Sequence, residues 1–412
     1  LRHHVDHVAD WQGRVHARNG QRPFRLAAAK VHRLHHARLA DGVNLTAADD
    51  RTTGDVAQFP RSAWLASTRR ALTGAPTEAL RMGDPAGRIE LREALTEYLG
   101  RVRGVRTTPD EIVVCAGTRH GVEILTRALG GPIAVEAYGL FLFRDAIAAN
   151  GTRSVPINVD DDGAVISELD ATAATAVLLT PAHHFPHGVP LHPGRRTDVL
   201  DWAHRTGGYV WEDDYDGEFR YDARPLAALR SLDRSGHVIY VGSFSKVLFP
   251  SLRLGYLVIP PGLREDYVNA KWQDDFGSPA IEQAAMAGFI GDGGFERHLR
   301  RTGRALEERR SALLAALHRE LGDELDIADS QAGMHLVAWL RRFSPGGVDA
   351  LIASARQRGV DLYPIAPYYS RPPERGGLLM GFASMSVAEI GQAVQIVAGC
   401  LRAMPDELAW PR

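Results

Sequence analysis

Cysteine is nearly absent from the 412 residues, with Cys115 and Cys400 far apart and without a partner motif. That excludes a disulfide framework and leads to the expectation of a reducing, cytoplasmic setting. No run of about eighteen apolar residues occurs, and the opening LRHHVDHVAD lacks an apolar signal core, so no membrane span is expected. Charge of one sign is lacking too. A formal net charge of -2 gives no overall field for nucleic acid or an acidic surface. Lysine is scarce, with Lys30, Lys246 and Lys271 the only three among 48 basic residues. What remains, 45% hydrophobic and 24% charged, is the profile of a globular chain of two or three domains with a sizeable core.

Residues 1–43 are rich in arginine and histidine at helical spacing and are expected to form a basic helical arm. They contain no pair of short helices around a glycine turn and are too few for a winged domain. Nucleic acid is therefore not an expected partner unless a domain lies upstream. His3, His4 and His7 have no completing ligand set, so no metal is expected there. Residues 44–84 are read as a segment packing on the small domain or a dimer partner, and GDPAG at 83–87 marks a turn before a helix at 88–99.

Two short apolar runs, residues 208–211 and 237–241, end in polar clusters, as buried parallel strands do where their carboxyl ends open into a site. The first stops at Glu212, Asp213, Asp214 and Tyr215; the second stops at Ser243, Ser245 and Lys246, with Arg253 seven residues on. In so lysine-poor a chain, a lysine between two serines requires a reason. A desolvated amine can shed its proton and attack an aldehyde, which a guanidinium cannot. Pyridoxal 5'-phosphate needs such an amine, a carboxylate for its ring nitrogen, a donor for its ring oxygen, and cations or hydroxyls for its phosphate. Lys246, Asp213, Tyr215, and Ser243 with Arg253 supply one of each. A further strand at 112–115 leads into a helix at 121–129, a start suited to a phosphate.

The stretches EDDYDGEFRYDARPL (212–226) and YVGSFSKVLFPSLRLGYL (240–257) closely resemble the aminotransferase-like domain of MocR-type proteins. The likeness runs from about residue 43 to 403 through FPRSAW, GDPAG, IVVCAG, TPAHHFPHG, SPAIEQAA and YPIAPYY. It implies an α/β protein of fold type I, with a mostly parallel central sheet flanked by helices over residues 85–294 and a small α+β domain over residues 295–412. It implies catalytic roles for Lys246, Asp213 and Tyr215, a phosphate cradle at Gly117, Thr118 and Arg119, and Ser243, Ser245 and Arg253 at the cofactor. It also implies a ring-stacking Tyr138, Ser278 approaching the partner subunit's phosphate, and a homodimer.

The chain departs from the pattern in four places. Met82 stands where a tyrosine crosses to the partner's cofactor. His184 and His187 occupy the turn that usually supplies an amide to the ring oxygen, and a histidine there can also move protons near neutral pH. Leu379 replaces the arginine that grips a substrate carboxylate, so either Arg371 or Arg375 substitutes or the substrate lacks the usual carboxylate, with Tyr368, Tyr369 and His187 expected near the substrate. The leading expectation is a biosynthetic aminotransferase acting on an amino acid or amine. A lyase, decarboxylase or oxidase on the same scaffold, and the effector-sensing half of a transcription regulator, remain open.

Overall fold

The computed structural model describes residues 54–222, 226–328, 330–371 and 373–405. The expected basic arm, with His3, His4, His7 and Lys30, lies outside the described residues.

Short apolar segments build a seven-stranded sheet because both of its faces are buried, so the strands are continuous apolar runs without alternation. Its order is Ile112–Cys115, Gly255–Val258, Val238–Ser243, Tyr209–Asp214, Ala176–Leu179, Ile133–Glu136 and Ser154–Ile157. Gly255–Val258 alone runs against its neighbours, and the other pairings among the strands from Val238–Ser243 to Ser154–Ile157 are parallel. The second sheet is antiparallel, in the order Leu325–Ala328, His335–Leu340, Gly377–Gly381 and Tyr363–Pro364. The long helix Gly294–Leu321 and the C-terminal helix Val387–Arg402 pack together beside it. Ser386 and Glu389 form a capping box that starts the latter. This is the fold type I architecture expected from the resemblance.

One local expectation shifts. The strand that carries the acids does not stop at Trp211 but continues to Asp214, so Glu212, Asp213 and Asp214 all lie on it. Two helices follow the large sheet, Pro261–Asp275 and Ala280–Gly291, separated where Phe276 and Gly277 take positive φ.

The helix Arg61–Thr73 packs on Ala280–Gly291, where Ser67 Oγ donates to Ala285 O at 2.7 Å. Asp55 pairs with Arg309 of the long helix at 2.9 Å, and Gly54 N–H donates to Lys246 O at 3.1 Å. The segment before the large sheet is thereby tied both to the long helix and to the residue that carries the amine.

Under the carboxyl edge of the large sheet lies a buried ionic network. Arg103 contacts Asp214 Oδ2 at 2.6 Å through Nη2 and donates to Gly217 O at 3.1 Å, and Tyr240 Oη donates to the same carboxylate at 2.6 Å. Both side chains are buried, so removing one partner leaves the other charged and unsolvated. Arg103→Met is expected to cost about 3–5 kcal/mol of unfolding free energy, measured by urea titration. An unchanged midpoint would show that water reaches Asp214.

Candidate active site

A cavity of about 300 Å³ opens at the carboxyl edge of the large sheet, where ligands bind in open α/β folds. Five strand ends feed it: Gly117 to Arg119, Glu136, Thr180, Asp213, and Ser243 with Ser245 and Lys246 all line its wall.

Strand geometry decides which acid faces the cavity, since successive side chains point to opposite faces. Glu212 and Asp214 turn away. Glu212 accepts from the N–H groups of Leu229 and Arg230 at 2.7 and 2.9 Å, and Asp214 holds Arg103. Asp213, between them, lines the cavity, and among the described residues its Oδ1 is buried without a hydrogen-bond partner. Burial, then the charges of Asp214 and Asp216, push its carboxyl up to about 8. Glu136 is pushed up to about 8 as well, chiefly by burial, although Thr180 donates to its Oε2 through N–H at 3.1 Å and Oγ1 at 2.7 Å.

The opposite end of the cavity is built for an anion. Gly117 caps the helix Thr118–Leu129 at φ +109°, a conformation that favours glycine, and a Cβ there would stand 3.7 Å from the Arg253 guanidinium. The helix starts three residues earlier than the apolar pattern suggested, so Thr118 and Arg119 present first-turn N–H groups to the cavity. Gly255 is required beside it, because a Cβ would sit 2.9 Å from Gly117 Cα. Ser243 and Ser245 line the same cavity, with Ser243 Oγ accepting from Ser245 N–H at 3.2 Å. Arg253 holds a left-handed φ of 49° and also lines it.

Of the residues singled out above, Gly117, Thr118, Arg119, Asp213, Tyr215, Ser243, Ser245, Lys246 and Arg253 meet at this one cavity. Others do not. Tyr138 is absent from the wall: its ring lies 4.2 Å from that of Tyr369 and stacks on His187 at 5.2 Å, while Leu140, two residues on, takes the cavity position. His184 is buried behind the wall with Nε2 3.2 Å from Tyr138 O, and Phe185 lines the cavity in its stead. Ser278 Oγ donates to Val114 O at 3.4 Å, outside the cavity, and Met82 is exposed.

The substrate-side expectations need the most correction. Arg375 forms a salt bridge with Asp326 and lies over the Trp339 ring at 5.9 Å, and Arg371 is exposed; neither lines the cavity. Tyr368 packs edge-on to Phe185, 4.9 Å between centroids, and Tyr369 Oη is 2.6 Å from His187 Nε2, so both stand behind the wall. Burial lowers His187 to about 4 and His184 well below its ordinary value, which leaves both rings uncharged at neutral pH and unsuited to the proton traffic expected of them. Leu379 is buried in an apolar cluster with Phe185, Tyr215 and Val337. Sequence reasoning missed Glu136, Leu140 and Arg144, which line the cavity. The signal for Arg144 was its place four residues after Leu140, one helical turn further on the same face of Phe141–Ala149.

The pattern of the family Aminotransferase class I and II matches residues 40–397. An uncharacterized HTH-type transcriptional regulator of Bacillus subtilis, YhdI, is 34% identical over 343 residues, 83% of this chain and 73% of that protein. The probable rhizopine catabolism regulatory protein MocR of Rhizobium meliloti is 31% identical over 361 residues, 87% of this chain and 73% of that protein. In fold, the chain is similar to a kynurenine aminotransferase from Pyrococcus horikoshii solved with PMP. The TM-score is 0.80 at 22% identity, covering 93% of this chain and 95% of that one.

The raised carboxyl of Asp213 has a thermodynamic consequence. Between the ordinary carboxylate value and about 8 the folded state without cofactor binds more protons than the unfolded state, so stability falls as pH rises through that window. Asp213→Asn is expected to flatten part of this fall, read from urea midpoints at pH 4 to 9. A slope unchanged by the substitution would mean that the carboxyl is already ionised.

Proposed function

Because the chain belongs to the class I and II aminotransferase family, with MocR-type proteins among its relatives, we propose that it binds pyridoxal 5'-phosphate through Lys246 and acts on an amino acid by aminotransferase-type chemistry. The observation that carries this reading is the unpartnered, buried Oδ1 of Asp213 in the same cavity as the Lys246 amine. A protonated ring nitrogen satisfies that oxygen and lets the carboxylate ionise. The helix start at Thr118, with Ser243, Ser245 and Arg253, fits a phosphate by hydrogen bonding and charge. Tyr215 lines the wall with a phenol held well above its ordinary value by burial and Asp216, so it stays a donor for the ring oxygen.

When bound, the cofactor draws electron density from the substrate carbon next to the nitrogen. The protein supplies the rest. Lys246 would hold and move a proton at Nζ, and the apolar wall of Leu140, Phe143 and Phe185 excludes water. Arg144 is proposed as the carboxylate anchor. Of the four cavity cations, Lys246 is the nucleophile, Arg119 is paired with Glu123 at 2.9 Å and Arg253 faces Gly117. Arg144 donates to Ala137 O at 3.3 Å and has no carboxylate partner among the described residues. Leu65, Leu72, Leu80 and Met82 are exposed apolar side chains near the segment that precedes the large sheet, which supports a homodimer.

A second reading is favoured by the relatives named as transcription regulators: the same pocket senses an effector without turning it over. Spectra after addition of amino donors separate the two, since conversion to the pyridoxamine form requires turnover. The cofactor assignment is tested by borohydride reduction and peptide mapping, which is expected to find the adduct on Lys246 and to lose it in Lys246→Ala; an adduct on Lys271 instead would remove the assignment. Arg144→Gln is expected to weaken binding of amino acids about tenfold or more while sparing the matching amines without a carboxylate. Equal weakening of both would assign Arg144 a purely structural part.

A further inference from the structure

His183 is fully buried between the cavity and the C-terminal sheet, and its hydrogen bonds form a chain. Nδ1 lies 2.8 Å from Asp216 Oδ2 and 2.9 Å from Tyr215 Oη, and Nε2 lies 2.8 Å from Ser330 Oγ. An ionised Asp216 can only accept, so Nδ1 carries the hydrogen and shares it between the carboxylate and the phenol oxygen. Nε2 is then the acceptor for the Ser330 hydroxyl. Tyr215, whose phenol also bonds to Asp216, accepts from His183 and keeps its hydrogen to donate, to that carboxylate or to an acceptor in the cavity, and a hydroxyl that accepts one hydrogen bond donates a stronger one.

The ring has no room to turn. A Cβ on Gly333 would stand 2.2 Å from His183 Cε1 and 2.5 Å from Asp216 Oδ2, and a Cβ on Gly188 would stand 2.5 Å from Ser330 Cβ. Ser330 comes from the connection between Leu325–Ala328 and His335–Leu340, and its carbonyl accepts from Arg310 of the long helix at 3.0 Å. The chain of bonds therefore begins in the small-sheet unit and ends at a cavity wall of the large one.

We propose that His183, held by Asp216 and Ser330, is a positioning residue that aims the Tyr215 hydroxyl into the cavity as a donor to the cofactor's ring oxygen and makes that donation depend on how the small sheet is seated. This rests on the cofactor reading given above. The other charged or titratable groups that face the His183–Asp216–Tyr215 cluster are Asp213, Glu136 and Lys246 at the cavity, Glu218 and Tyr221 beside Asp216, His184, and His335, whose ring centroid is 5.3 Å from that of His183. Arg220, which donates to Ala182 O at 3.3 Å and pairs with Asp222, stands on the outer side.

A donor to the ring oxygen favours the unprotonated form of the lysine–cofactor linkage, so weakening it raises the pH at which the yellow chromophore titrates. In cofactor-loaded protein, His183→Gln is expected to raise that midpoint by about half a pH unit or more, and Ser330→Ala to raise it less. In a Tyr215→Phe background neither change should move it further. Ser330→Ala removes one hydroxyl and keeps the test open where His183→Gln does not fold. A midpoint unmoved by either variant, or moved equally with and without the Tyr215 hydroxyl, overturns the proposal. A wild-type protein that forms no chromophore overturns the cofactor reading and this inference together.

Discussion

Four carboxylates within five residues, Glu212, Asp213, Asp214 and Asp216, are buried at the end of one strand, and the structure depends on keeping them apart. Like charges this close in a dry interior cannot all ionise unless each has its own partner. Three of them have one: backbone N–H groups for Glu212, Arg103 for Asp214 and His183 for Asp216. Asp213 is the remainder. Its unmet oxygen costs stability, and under the proposed reading a cationic ring nitrogen would offset that cost, which makes the same feature a folding liability and a binding determinant.

The rest of the cavity follows from how chain segments approach it. Parallel strands bring their carboxyl ends to one edge, and glycines at 117 and 255 let backbone meet backbone where a side chain would block the helix start. The aromatic and histidine residues of the TPAHHFPHG turn have a different task. Apart from Phe185, they pack behind the cavity against Tyr368, Tyr369 and the small sheet, and burial keeps His184 and His187 uncharged. They shape and stiffen the wall and do not carry protons across it.

The likeness to both aminotransferases and transcription regulators is consistent with this division. The cofactor half of the cavity, from Thr118 to Arg253, uses groups that any use of the cofactor requires. The other half of the cavity, around Leu140 and Arg144, is where turnover and sensing would diverge. Leu379 is buried in an apolar cluster outside the cavity, while Arg144 lines the cavity wall.

That Lys246, Asp213, Tyr215, Ser243 and Arg253 converge on one cavity was legible in the sequence because their spacing is local: each sits near the end of an apolar run, and strand ends of a parallel sheet converge whatever lies between them. The fold class was legible for the same reason. Tyr138, His184, Arg371 and Arg375 were misplaced because their positions depend on which face of a loop packs inward, a matter of contacts made far along the chain. Leu140 displaces Tyr138 from the wall by a two-residue offset, and Asp326 with Trp339 draws Arg375 out to the surface. The bonding of Ser330 to His183 spans 147 residues and has no local signature at all. The sequence by itself determined the chemistry available at the strand ends; only tertiary packing decided which side chains around them face the cavity, because burial and pairing are settled between segments and not within them.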